Sequence, residues 1–117
     1  MAKHNDLGKK GELSAIEYLR KKAYKILKSN LFVSHKEVDI LCEKNNFLVA
    51  VEVKTRTNSN DDLNNIVSNK KRKLLIEAVN TYIEENNIDK EVRFDIIFIN
   101  NDEITHIEDA FNPFDFV

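Results

Sequence analysis

Four ionisable residues stand where strand alternation would otherwise carry apolar ones. In "VAVEVKTRT", residues 49–57, Val49, Val51 and Val53 fall on one side of a strand and Ala50, Glu52 and Lys54 on the other. In "KEVDILC", residues 36–42, Val38, Ile40 and Cys42 share one face, and Glu37, Asp39 and Leu41 share the other. If these segments pair as a hairpin, Glu37, Asp39 and Glu52 gather near Lys54. Clustered carboxylates repel and raise one another's pKa unless a cation joins them. A hard divalent cation is the natural partner, and magnesium typically takes one or two carboxylates plus water. The bland alternative is a Glu52–Lys54 salt bridge on the solvent face of an edge strand. That alternative predicts polar residues at 48 and 50, where the chain has Leu48 and Ala50.

A fourth carboxylate comes from a helix. In "NDLGKKGELSAIEYLRKKA", Leu7, Gly11, Ala15, Leu19, Ala23 and Ile16 form one apolar arc at about 100° per residue. Glu12 falls inside that arc, where a carboxylate costs stability unless it is paired or metal-bound. Alternatively, Glu12 caps a backbone group or reaches solvent at the helix start, where acids are favoured. The chain's two glycines, Gly8 and Gly11, sit in the same first turn. Each weakens a helix by roughly 1 kcal/mol against alanine. Their presence suggests close backbone approach, either to a sheet or to a phosphate.

The elements that must carry these groups can be read in order. Residues 5–23 form the first helix, with Asn5 or Asp6 as N-cap. "YKILKSNLFV" and "EVDILCE" read as strands; "KNN" is a tight turn into a third, "NFLVAVEVKT". "RTNSNDDLNN" is a polar loop, and Leu74, Leu75, Ala78, Val79, Tyr82 and Ile83 repeat with helical spacing within about 67–85. "EVRFDIIFIN" and "EITHIED" are two further strands. The tail "AFNPFDFV" is expected to lay its aromatics on the core. The order is αβββαββ, an α/β (α+β) fold in which a mixed sheet is flanked by helices. The third strand is apolar on both faces until Glu52, as expected of a central strand covered on both sides.

At 117 residues the chain suits a single domain, 1–117, with enough length for its own core. Its lone Cys42 excludes an internal disulfide and a cysteine zinc site, and reads as a buried small hydrophobe. His4, His35 and His106 show no zinc spacing. The longest clean apolar run, "FLVAV", is too short to cross a bilayer, and "MAKHNDLGKK" lacks a signal-peptide core. A cytoplasmic protein without a membrane partner is expected. Net charge is −2, yet residues 1–30 carry a balance of +5 and residues 84–117 one of −8. The first helix, with Lys9 and Lys10, and "KKRK" at 70–73, with Lys70 and Lys71, make a basic footprint suited to nucleic acid, or simply solvated helix faces.

Six stretches in order, "GKKGELSAIEYL", "YKILKSN", "EVDILCE", "VAVEVKTRT", "KRKLLIEAVNTYI" and "RFDIIFI", resemble the bacterial YraN-type family. That family is similar to archaeal Holliday junction resolvases within the PD-(D/E)xK nuclease superfamily. The resemblance covers about residues 7–100 and implies a restriction-endonuclease-like fold. It implies that Asp39 and Glu52 hold a divalent metal, Mg2+ or Mn2+, and that Lys54 positions the attacking water. Glu12 is implied as a further ligand for metal or metal-bound water, Arg56 as a contact to phosphate, Lys71 as the recurrent lysine that opens the second helix, and Arg93 with Asp95 as a structural pair. One departure is Lys36, where the family usually has glycine.

The implied chemistry is phosphodiester hydrolysis. A metal on Asp39 and Glu52, with the Val53 carbonyl in its shell, would lower the pKa of water and polarise phosphate. Lys54 would add positive charge where negative charge develops. The leading expectation is a metal-dependent DNA endonuclease acting on branched or recombination intermediates, with a homodimer enlarging its basic surface. The alternatives are a non-catalytic nucleic-acid-binding or protein-interaction module on a nuclease fold, and a domain whose ion pairs are structural only.

Overall fold

The computed structural model describes the main chain of residues 3–116 and the side chains of residues 7–115. Helix α1 (Lys3–Lys21) precedes three strands, β1 (Lys25–Val33), β2 (Lys36–Lys44) and β3 (Phe47–Arg56). Helix α2 (Asn69–Asn86) and strands β4 (Glu91–Asn100) and β5 (Glu103–Phe111) follow. The five strands form one sheet in the order β1-β2-β3-β4-β5. All neighbours are antiparallel except β3 and β4. Parallel strands cannot be joined by a tight turn, so α2 provides the crossover.

Each helix buries one stripe against one face. Ala15 and Leu19 of α1 pack on Ile40, Cys42, Val49, Val51, Ile97 and Ile99. On the other face Leu75, Ile76, Ala78 and Val79 of α2 pack with Leu41, Leu48, Ala50, Phe94 and Ile96. Thus β3 is central and covered on both sides, as its two apolar faces require. Cys42 is fully buried, and burial pushes its thiol up to about 12.

Left-handed backbone is supplied by residues other than glycine. Ser34 and His35 (φ 48° and 69°) make the two-residue turn between β1 and β2. Asn101 and Asp102 (φ 52° and 67°) do the same between β4 and β5. Two positive φ values match the twist of a hairpin. Lys36 lies just after the first of these turns, paired with Val33 in the ladder, so glycine's freedom is not needed there. Its Nζ stands 3.3 Å from Glu77 on α2.

Several expectations are corrected. Helix α1 is already helical at Lys3, so Asn5 and Asp6 lie inside it; their side chains are outside the described set. Ala23 is exposed at φ 69°, terminating the helix, with the Tyr24 N–H donating to Leu19 O at 2.9 Å. Val38 joins the cluster beneath α2 rather than that of Ile40 and Cys42, so the alternation of β2 breaks between Val38 and Ile40, across from Asn30 at φ 51°. In the tail, Phe111 ends β5 buried and stacked on Phe94, with ring centroids 5.2 Å apart, whereas Phe114 is 85% exposed. Val117 and the Phe116 side chain lie outside the described residues.

Candidate functional site

The β2–β3 ladder runs from Lys44↔Phe47 to Ile40↔Val51 and then stops. At the next position the Val53 N–H donates to Asp39 Oδ2 at 2.9 Å. A side chain has taken the place of a strand, so the two central strands part here. N–H and C=O of one extended residue point to the same side, so the Val53 carbonyl also faces this opening. On the other flank of β2, Asn30 of β1 falls between the pairs Ser29↔Ile40 and Leu31↔Val38, at φ 51°. It therefore sits opposite Asp39, a left-handed residue within a strand, as found where a ladder is re-aimed.

Glu52 is the central group. It is 3% exposed, and its Oε2 lies 3.5 Å from Lys54 Nζ and 3.9 Å from Lys71 Nζ. Its other oxygen, Oε1, is buried without a hydrogen-bond partner. Asp39, 7% exposed, stands within hydrogen-bonding reach of both Glu52 and Glu37. Ionised carboxylates have no proton to share, so that proximity is repulsive until one of them is protonated. Burial, followed by the charge of Asp39, raises Glu52 from its ordinary range to about 8, against the opposing pull of Lys71 and Lys54. Burial and then Asp39 also raise half-buried Glu12 and Glu37. The Asn30 side chain hydrogen-bonds Glu12 and opposes its shift.

Glu12, Glu37, Asp39, Glu52, Lys54 and Lys71 are thus brought together, from α1, β2, β3 and α2. Of the remaining expected basic residues, Lys9 lines a shallow cavity with Glu12, and Arg56 and Lys10 pair with other carboxylates. Arg56 is bound to Asp61 at 3.3 Å and to its neighbour's carbonyl, Thr55 O, at 2.8 Å. Lys10 lies 4.0 Å from Asp102. Both line a separate cavity of about 300 Å³ with Gly11, Ser14 and Thr55. Lys9 and Lys70 are exposed. Gly11 is explained by close packing on the sheet: a Cβ there would lie 2.0 Å from Thr55 Cγ2, while one at Gly8 would meet nothing within 4 Å. The 57–65 loop is tied to the β4–β5 turn. Asn58 and Ser59 N–H groups donate to the Asn101 and Asn100 side chains, both at 3.0 Å.

Among the described residues no three His, Cys, Asp or Glu side chains converge tightly enough to grip an ion by themselves. The donor set nonetheless fits a hard cation. Asp39 and Glu52 are adjacent, Glu52 has an unpaired buried oxygen, and the Val53 carbonyl faces the same opening. Two carboxylates completed by water are ordinary for magnesium.

A second polar cluster escapes the sequence pattern. Buried Asp95 accepts from Arg93 Nε and Nη2 at 2.9 and 2.8 Å and from the Asp109 N–H at 3.0 Å. His106 Nε2 lies 2.7 Å from the same carboxylate, and its Nδ1 is 3.1 Å from the Tyr18 hydroxyl. The Arg93–Asp95 pair is expected from the sequence, but His106, Tyr18, Tyr24 and Glu108 are not. A charged residue inside the apolar run "RFDIIF" is the one signal for it.

These features define an α+β protein with a mixed five-stranded sheet, two flanking helices and an acidic cleft where its central strands part. The chain belongs to the uncharacterised protein family UPF0102, whose pattern matches residues 11–99; this is the YraN-type family. It is 48% identical over 116 residues to a UPF0102 protein of Christiangramia forsetii, covering 95% of this chain and 98% of that one. With UPF0102 protein FP2501 of Flavobacterium psychrophilum it shares 45% over 119 residues, covering 97% and 100%. With a UPF0102 protein of Flavobacterium johnsoniae it shares 47% over 123 residues, again covering 97% and 100%. A solved structure, that of SSO0001, aligns with 92% of this chain and 52% of its own at 18% identity and a TM-score of 0.49. No helix among the described residues is long and apolar enough to cross a membrane.

Proposed function

We propose that the protein is a metal-dependent phosphodiesterase that cuts DNA, with Asp39 and Glu52 as the ligands of Mg2+ or Mn2+. The observation that carries this reading is the unpartnered, buried Glu52 Oε1 beside a second carboxylate. A group so placed is costly unless a cation completes it. A divalent cation, when bound, supplies Lewis-acid charge to the phosphate and lowers the pKa of water.

The chain's own residues do the rest. The Asp39 side chain bridges the opening between β2 and β3 to the Val53 N–H, which fixes its carboxylate beside Glu52 where a phosphate would enter. Lys54 and Lys71 present two ammonium groups at the rim, where charge develops on the phosphoryl oxygens. Glu12, whose raised pKa reflects burial and Asp39, is suited to accept a proton from the attacking water. Branched or recombination intermediates are the substrates that the family resemblance favours, and a second copy of the chain would enlarge the basic surface that grips them.

The reading is tested on a labelled panel of duplex, single strand, flap and four-way junction with Mg2+, Mn2+ or EDTA. Cleavage that needs metal and is lost in Asp39→Asn and Lys54→Ala is expected. Cutting that survives in both variants would end it. A second reading, a binding module without catalysis, draws on the ion pairs that already engage Glu52 Oε2 with Lys54 and Lys71. It predicts DNA binding by the wild type, unchanged by metal, with no cutting of any panel member.

A further inference from the structure

Among the described residues, few large apolar side chains are strongly exposed, and one of them is beside the cleft. Phe32 is 67% exposed near the end of β1. Its ladder partner is Glu37, which itself lies in the field of Asp39 and Lys71. Directly opposed residues of an antiparallel pair project from the same face, with Cα atoms roughly 5 Å apart. Two residues along and one strand across, Phe32 lies on the order of 8 Å from Asp39, Cα to Cα. An aromatic ring therefore stands in water beside Glu37, at the β1 edge of the cleft and on the face of the sheet away from α2.

Burial gives no reason for that placement. Leu31 and Val33, its neighbours in sequence, pack into the core beneath α2, so Phe32 is the residue of this strand end that points away from it. β1 is also an edge strand, bordered only by β2. Its own surface is cationic, with Lys25 and Lys28 exposed, and Lys9 of α1 lines a shallow cavity with Ser29 and Asn30. Exposed lysines that track a phosphate backbone, together with an aromatic face, make the surface on which unpaired bases stack.

We propose that Phe32 is a stacking platform for an unpaired base next to the scissile phosphate. The inference rests on the phosphodiesterase reading for its register and adds a substrate class to it: nucleic acid with an unpaired nucleotide at the cut, as in a flap, a gap or a single strand. In a continuous duplex each base face is already covered by its neighbours, so the ring has nothing to stack on. Lys9 and Lys28 hold the backbone without regard to sequence.

The test is anisotropy of labelled single-strand, flap and blunt-duplex oligonucleotides in EDTA, for wild type, Phe32→Ala and Phe32→Tyr, with sedimentation of each protein. Wild type should prefer the single strand and flap. Phe32→Ala should weaken both about tenfold and leave the duplex within about twofold, and Phe32→Tyr should keep the preference. Equal affinity of Phe32→Ala and wild type for every oligonucleotide would overturn the proposal, as would equal loss on all three. A drop in oligomeric state in Phe32→Ala would overturn it too, by making a second copy the ring's occupant. Binding is read without metal or cutting. A wild type that discriminates but never cleaves therefore refutes the nuclease reading and upholds the stacking of an unpaired base on Phe32, with no scissile phosphate beside it. Metal-dependent cleavage with indifference at residue 32 does the reverse.

Discussion

Glu52 and Asp95 are buried carboxylates on adjacent parallel strands, one register step apart: Asp95 pairs with Val51, and Glu52 with Ile96. They are treated in opposite ways. Asp95 receives two N–H groups from Arg93, the Asp109 backbone and His106. An ionised aspartate can only accept, so His106 Nε2 must carry the proton toward it. Burial pushes Asp95 up, but the hydrogen bonds from His106, Arg93 and Asp109 outweigh it and hold the group below its usual range. Glu52 has two lysines on one oxygen and nothing on the other, and lies far above its usual range. This fold can satisfy a carboxylate in its sheet completely. Glu52 is left incomplete in the same sheet, which marks its deficit as a feature of the cleft and not of burial in general.

The largest effect tests the satisfied member. Asp95→Ala leaves Arg93 and His106 facing a void, and removing one side of a buried pair costs about 3–5 kcal/mol. Urea denaturation should show that loss at neutral pH, and a loss under about 1 kcal/mol would mean the network is ornamental. The substitution should leave metal binding in the surviving folded fraction unchanged, since Asp95 faces the α1 side of the sheet with Ile97 and Ile99.

The next effect tests the unsatisfied member and has the opposite sign. A carboxyl whose folded pKa is raised from 4.5 to about 8 keeps its proton longer in the native state. Stability is then intact below about pH 4.5 and falls as pH rises toward 8. Glu52→Gln cannot ionise. In EDTA it should flatten this decline and exceed the wild type by a few kcal/mol near pH 8.5. Adding Mg2+ or Mn2+ at that pH should raise the melting temperature of the wild type and leave Glu52→Gln unmoved. A wild-type profile that is flat from pH 5 to 8.5 would remove the asymmetry between the two carboxylates.

The same asymmetry explains what could be read in advance. The αβββαββ order is legible because periods of two and of helical spacing survive in each element. Asp39, Glu52, Lys54 and Glu12 are legible because each interrupts an apolar face. The face of Val38 is not, because alternation assumes an unbroken ladder, and the β2–β3 ladder ends at Ile40↔Val51 with the Asp39 side chain on the Val53 N–H. Nor is the Asp95 network, whose partners come from Tyr24 and Tyr18, 69 and 88 residues from the groups they bond. Pattern along one strand does not say which helix crosses over it. The αL turn at Asn30 is equally hidden, since asparagine marks a turn no more clearly than a loop or a cap.

The smallest effect sharpens the comparison most finely. Lys71 reaches Glu52 from the first turn of α2 at 3.9 Å, with a third of its side chain in water. Lys54 is closer, at 3.5 Å, on the same strand. Solvent screens both pairs, so Lys71→Ala should cost well under about 1 kcal/mol in metal-free buffer. Its direction is the informative part. Losing a cation that favours the ionised form must raise the pKa of Glu52 further, so the wild-type decline in stability should continue to higher pH. Asp95 has no contact with Lys71 and should titrate as before. Denaturation profiles of Lys71→Ala and Lys71→Arg between pH 5 and 9.5 check this, with arginine expected to retain the wild-type profile. If alanine leaves the decline where it was, Lys71 acts on the substrate alone, and Lys54 is the single counter-charge that Glu52 has within the protein.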